Sequence, residues 1–158
     1  MIRTMETNDI DRVAELKTNS WRHAYGKMMS DEFLFHTLSV AKTSKNWVLN
    51  PGAFVFDDGI VKGFMDIGPC RDEDSRDGFE VYAIYLDPFF MRQGLGTKLL
   101  EYAESVAKQE GYPYISLWVL EENAPGRSFY ESRGFAFDGS RKKWGSLWEI
   151  RYKKELGR

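Results

Sequence analysis

Gly94 and Gly96 stand two residues apart in "MRQGLGTK", between a β-rich run and a long amphipathic run. Residues without side chains at such a junction let a phosphate approach the backbone closely. The amides of Gly94, Leu95, Gly96 and Thr97 are expected to lack intrahelical acceptors there, and the helix dipole adds to their pull on negative charge. The plainer reading is that the glycines only ease a tight strand-to-helix turn. For a lone G-x-G both readings stand. The nucleotide fingerprints do not fit: "GLGTK" is not a Walker A loop, and the third glycine or alanine of a dinucleotide site falls on Leu99.

Two further residues have the chemistry for proton transfer. Tyr130, in "NAPGRSFYESRGF", offers a phenol with an unperturbed pKa of about 10. It can equally be a core residue whose hydroxyl finds a partner. Glu80 lies fourteen positions before Gly94, in the apolar run "FEVYAIYL". Strand alternation puts it on the face of Tyr82, Ile84 and Leu86. A carboxylate lodged among apolar side chains has its pKa raised, which suits base work near neutral pH. As a solvated group near the start of a strand it would do no chemistry.

The elements that must position these residues are legible from periodicity. Ile2 to Met5 reads as a first strand, and Asn8 or Asp9 can cap a helix reaching about Tyr25. A second helical piece is expected after Ser30, with Phe33, Leu34 and Leu38 as its apolar face. "AFVFDDGIVKGFMDI" reads as a hairpin turning at Asp58-Gly59. "FEVYAIYL" is the next strand, and the long helix carries Leu95, Leu99, Ala103 and Val106 on one side, with Glu104 and Lys108 as a supporting pair. Gly111 and Pro113 end it. "YISLWVL" is a buried-type strand, residues 124–133 a short helix, and two strands turning near Asp138-Gly139 close the chain. No repeat or linker interrupts the order. The expectation is one α/β domain over residues 1–158, with a mixed, mostly antiparallel sheet of about seven strands and helices on both faces.

Composition removes whole classes of function. Apolar residues make up 42% of 158, enough for a core, and the net charge is −2. Nucleic-acid binding would need a concentrated basic field, and the basic pieces at 141–143 and 151–154 are short. Cys70 is the single cysteine, which excludes a disulfide framework and suits a reducing compartment. His23 and His36 lack ligand spacing to each other or to Cys70, so no metal is expected. "MIRTMETNDID" shows no signal peptide, and no apolar run approaches roughly 20 residues. A cytoplasmic protein with no membrane partner is the expectation.

The later motif carries a family resemblance. Asn123, Phe129, Tyr130, Gly134 and Phe135, one strand after "RQGLG", resemble the Asn-x-x-Ala-x-x-Phe-Tyr…Gly-Phe pattern of the GNAT superfamily of N-acetyltransferases, with Gly126 replacing the alanine. The family's glycine motif is usually Gln/Arg-x-x-Gly-x-Gly/Ala. Its first position falls here on Met91, with Arg92 and Gln93 just after. The resemblance covers most of the chain.

The resemblance implies acetyl-CoA as co-substrate, its pantetheine lying along the backbone of Ile84, Tyr85 and Leu86 as an added strand. The pyrophosphate would meet Gly94 to Thr97, beside Arg92 and Gln93. The sheet is expected to splay between "FEVYAIYL" and "YISLWVL", with a strand N–H polarising the thioester carbonyl. Tyr130 matches the family's general acid. Glu80 matches the glutamate base, acting through water, of members that acetylate histone lysines; the alternative on the next strand is excluded, since that position is Trp118. Asn123 is expected to bond the pantetheine, or simply to cap its helix. Trp21 and Tyr25, with Met28, Asp31, Glu32 and Phe33, would wall the acceptor site, suiting a cationic amine. Each of these residues can also be plain core or helix start. The acceptor would be a small-molecule or peptide amine, and the aromatic-rich last strands are suited to a homodimer. The rival reading is a non-catalytic acyl-CoA-binding sensor on the same fold.

Overall fold

The computed structural model describes residues 1–157. Seven strands form one sheet in the order β1-β2-β3-β4-β5-β7-β6: β1 Ile2–Thr4, β2 Ala53–Asp57, β3 Val61–Pro69, β4 Phe79–Leu86, β5 Tyr114–Leu120, β6 Ala136–Trp144 and β7 Leu147–Glu155. Four α-helices accompany them: α1 Ile10–Tyr25, α2 Val40–Lys45, α3 Leu95–Gln109 and α4 Ala124–Ser132. The expected mixed α/β sheet is what forms. No helix among the described residues is long and apolar enough to cross a membrane.

The chain packs as two compact units. Residues 1–66 and 83–99 make the first. Its core joins Val13 and Leu16 of α1 to Met5, Ala53, Val55, Val61 and Phe64, with Ile10, Trp47, Ala83 and Tyr85 packed against them. The β2–β3 hairpin turns at Gly59, whose φ of +107° is open to glycine at little steric cost. Asp9 does not cap α1 with its side chain. Its carboxylate instead accepts from the Glu6 amide (2.8 Å) and from both Arg3 terminal nitrogens (2.9 Å each), pinning β1 to the helix start. Ser30 does receive the Phe33 amide on its hydroxyl (3.2 Å). The piece it begins is one wide turn, Phe33–Thr37, closed by Leu38 N–H on the Phe33 carbonyl. Ser39 then caps the separate α2 through the Lys42 amide.

The second unit holds residues 67–82 and the chain from Leu100 onward. β5 pairs antiparallel with β7 from Tyr114↔Glu155 to Leu120↔Glu149. Ile115, Leu117, Ile150, Tyr152 and Phe79 are fully or almost fully buried, as are Leu100, Ala103 and Ala107 of α3. β4 runs parallel to β5 through Phe79↔Ile115, Glu80↔Ser116 and Val81↔Leu117. Two local expectations are corrected. Asp138-Gly139 is not the last hairpin's turn: the β6–β7 register shifts between Phe137 and Arg141, and the chain turns at Gly145 (φ +60°). Glu104 ion-pairs with Lys154 of β7 at 2.6 Å, so its partner comes from the sheet and not from its own helix.

Candidate active site

The glycine junction is held from below by α1. Arg12 donates through Nη2 to Asp87 Oδ2 (2.7 Å) and through Nε to the Val61 carbonyl (2.9 Å). Asp87 follows β4 directly; its other oxygen accepts the Phe89 amide (2.9 Å), starting a single 3₁₀ turn at Pro88–Phe90. The chain then reverses through two left-handed residues, Arg92 (φ +64°) and Gly94 (φ +77°). Lys98 N–H donates to the Gly94 carbonyl (3.1 Å) in the first turn of α3. The amides of Leu95, Gly96 and Thr97 precede that bond and have no acceptor of their own within the helix. A Cβ added to Gly94 would meet nothing within 4 Å, so the space beside it is open. Both features suit an anion against the backbone. Met91, at the usual Gln/Arg position, is exposed, as are Arg92 and Gln93.

In the same unit Tyr85 turns its ring onto Phe64, stacked at 5.8 Å, so its side chain is committed to the core. Burial pushes its phenol pKa up, and the charge of Asp66 adds to that. Trp21 meets Tyr25 edge-on at 5.3 Å and Phe33 at 6.2 Å, so these three rings pack together. Asp66 was not among the expected residues. Its Oδ2 accepts from Asn50 Nδ2 (2.9 Å), while its buried Oδ1 has no hydrogen-bond partner among the described residues. An acid inside the otherwise apolar stretch "FMDI" was the available signal.

In the second unit Glu80 is buried, its side chain 3% exposed. Its setting is not purely apolar, as the sequence suggested. Oε1 accepts the Arg71 backbone amide (3.0 Å) and Oε2 accepts Arg71 Nη2 (3.1 Å). The same guanidinium lies over the Tyr82 ring, 4.0 Å from its centroid, so Glu80 and Tyr82 share a face. Neighbouring Asp72 accepts from Trp118 Nε1 (2.9 Å) and Arg151 Nη1 (3.2 Å). Arg151 also holds Asp74, at 2.7 and 2.9 Å, and Asp138. Cys70, Asp72 and Glu80 bring ligand-type atoms within 4.8 Å of one another, yet two guanidinium groups already match those carboxylates. Burial pushes the Cys70 thiol pKa up, away from the thiolate a metal would need.

The third piece is α4. Asn123 is its N-cap, with Oδ1 accepting the Gly126 amide (3.1 Å). Tyr130 lies in the last turn of the helix, edge-on to Phe129 (5.3 Å) and Phe135 (6.1 Å), half-buried. The helix thus presents a phenol on an aromatic bed, whichever role that phenol has.

Known proteins resemble this chain in sequence and in fold. The model of the acetyltransferase (GNAT) family matches residues 10–135, from the first residue of α1 to the Phe after α4. YuaI, an uncharacterized N-acetyltransferase of Bacillus subtilis, is 33% identical over 135 residues, spanning 83% of this chain and 77% of its own. The spermidine N(1)-acetyltransferase of Thermoplasma acidophilum is 27% identical over 147 residues, 85% and 86% of the two chains. The crystal structure of the PaiA N-acetyltransferase of Thermoplasma acidophilum with coenzyme A is alike in fold, at a TM-score of 0.76 and 23% identity over 98% of each chain. The glycine junction after β4, the Asn123-capped helix and a family match over most of the chain agree: this protein belongs to the GNAT family of acetyltransferases.

Proposed function

We propose that the protein transfers the acetyl group of acetyl-CoA to a primary amine of a small molecule or peptide, by direct attack. The observation that carries this reading is the end of β4. Beyond Leu86 the chain enters the loop whose glycine junction leaves the amides of Leu95, Gly96 and Thr97 without acceptors inside their own helix. The backbone of Ile84, Tyr85 and Leu86 takes the pantetheine amides as a strand edge takes an extended ligand. The amides of Gly94 to Thr97 take the pyrophosphate, with Arg92 and Gln93 beside it. Asn123 contributes its carboxamide from the α4 cap.

The chemistry then needs two proton transfers. The amine nitrogen attacks the thioester carbonyl, forming the C–N bond while the C–S bond breaks. Glu80 takes the proton the amine gives up, through a water molecule, and the Tyr130 hydroxyl gives a proton to the departing CoA thiolate. Trp21 and Tyr25 wall the acceptor. The spermidine acetyltransferase relative supports a cationic amine, as do the ring faces of that wall.

Free-thiol release from acetyl-CoA, measured against polyamines, aminoglycosides, amino acids and lysine peptides, tests the reading. Release with one acceptor class establishes the transferase and its substrate together. Tight acetyl-CoA binding without release across the panel would instead favour a non-catalytic acyl-CoA-binding module.

A further inference from the structure

Two guanidinium groups lie in the second unit near the start of β4, and they are held in opposite ways. Arg151 is 5% exposed and bonds Asp72, Asp74 and Asp138. Arg71 is 64% exposed, although the carboxylate it bonds is 3% exposed. Its backbone and its side chain divide the work on Glu80: the amide fixes Oε1, and the guanidinium covers Oε2 while stacking on Tyr82. A carboxylate oxygen and an aromatic face, side by side, make up a receptor for a flat or small cation. The protein carries that cation itself.

The segment around Arg71 does not depend on its guanidinium for its place. Asp72 is held by Trp118 and Arg151, and Asp74 by Arg151. Cys70 N–H bonds the Gly78 carbonyl (2.9 Å), and the Tyr82 hydroxyl bonds the Pro69 carbonyl. The Arg71 side chain can therefore leave while the loop and the Oε1 bond stay. Glu80 cannot be left bare, because a buried carboxylate that loses its donor is strongly destabilising. Exchange of one cation for another avoids that penalty, whereas a neutral group in the same place incurs it.

We propose that Arg71 is an internal stand-in for the acceptor: it occupies the Glu80–Tyr82 cation subsite in the free protein, and a protonated amine or guanidinium of the substrate displaces it. The inference rests on the reading that Glu80 faces the acceptor, and it narrows that acceptor to a cationic one. Displacement brings the incoming cation to the carboxylate that Arg71 vacates, within reach of the water through which Glu80 acts. It also makes Arg71 a competitor whose removal frees the subsite.

Methylguanidine, which has no acetylatable primary alkyl amine, probes the subsite without turnover. Its binding is measured by NMR titration of the wild type, of Arg71→Ala and of Arg71→Ala/Glu80→Gln. If the side chain occupies the subsite about nine-tenths of the time, removing it tightens methylguanidine binding about tenfold. The Glu80→Gln change then abolishes that binding. Equal affinity in wild type and Arg71→Ala, or binding that survives loss of the Glu80 charge, overturns the proposal. Arg71→Gln, which keeps a long polar side chain, takes the place of Arg71→Ala should the alanine variant fail to fold.

Kinetics separate this proposal from the role of Glu80 itself. With the acceptor that responds in the thiol-release panel, Arg71→Ala lowers the acceptor KM and leaves the acetyl-CoA KM unchanged. An acceptor KM that rises or stays fixed refutes displacement, even where Glu80→Gln abolishes turnover and so upholds the base. Full turnover in Glu80→Gln removes the base, whatever methylguanidine does.

Discussion

The contact between Arg12 and Asp87 joins α1 to the residue that opens the glycine loop, and its removal has a calculable size. The two side chains are 22% and 13% exposed. An exposed pair contributes about 0–1 kcal/mol, and breaking a fully buried one costs about 3–5. Arg12 also gives the Val61 carbonyl a charged hydrogen bond, a class contributing about 1.5–3 kcal/mol. Arg12→Met keeps most of the stem's packing and removes these two bonds together with the more exposed pair to Glu15, so about 2–3 kcal/mol is expected. For a chain of 158 residues that lowers Tm by roughly 5–10 °C. Asp87→Asn keeps an oxygen for the Phe89 amide and removes only the charge. A double-mutant cycle read by urea denaturation should then return a coupling of about 1–2 kcal/mol. Because the pair anchors the loop proposed to meet the pyrophosphate, each single variant should also weaken acetyl-CoA binding, by about 5–10-fold, as the ligand must then order the loop itself. Additivity within about 0.3–0.5 kcal/mol would show that Arg12 works through Val61 and Glu15 and not through Asp87. A lowered Tm with unchanged acetyl-CoA affinity would refute the link between this anchor and the ligand.

Four further outcomes are expected. Tyr130→Phe lowers kcat by about 10–10⁴-fold with acetyl-CoA affinity nearly unchanged, measured by steady-state kinetics and titration calorimetry; unchanged turnover removes the phenol from its role. Gly96→Val weakens acetyl-CoA binding, because a side chain would stand where the pyrophosphate approaches, and full affinity would mean the glycine serves only the turn. Glu104→Ala costs about 1 kcal/mol in urea denaturation while Lys108→Ala costs almost nothing, since the ion pair runs to Lys154. Asp9 has its carboxyl pKa lowered, first by the Arg3 hydrogen bonds, so its contribution is present above its unfolded pKa of about 4 and is lost as pH falls through the lower folded value. Tm of the wild type should therefore fall more steeply than that of Asp9→Asn below about pH 4, and parallel curves would refute the assignment.

What the sequence made legible was what local physics controls. β4, α3 and β5 come directly from runs of apolar residues and their stops, and Asp58-Gly59 turns because nothing but its own backbone decides it. Asp138-Gly139 carries the same two residue types but lies within β6, where the register shifts and β7 has already fixed the pairing on either side. Tertiary pairing overrides a turn signal that would suffice in isolation. The same holds for Glu104, which pairs with a lysine 50 positions away on β7. The site residues missed at first share one trait. Arg12 and Asp66 are charges standing among apolar neighbours, Arg12 between Ile10 and Val13 and Asp66 between Met65 and Ile67. Such a charge is stable only with a partner, so its presence announces a contact without naming it.

Gly126 shows how a departure from a family pattern can itself be read physically. The pattern has alanine there, and a Cβ built on Gly126 would lie 2.5 Å from Asn123 Nδ2 and 3.0 Å from Asn123 Cγ. The Asn123 side chain folds over the first turn of α4 in the space an alanine methyl would fill, and from there it accepts the Gly126 amide. An alanine would therefore push the carboxamide off the cap, a loss of about 1 kcal/mol, while restoring about as much through helix propensity. Stability would barely register the change. The direction of the Asn123 carboxamide would register it fully, and with it any hydrogen bond that group gives to pantetheine. At this position the residue difference adjusts how the Asn123 carboxamide is aimed, while the fold energy stays level.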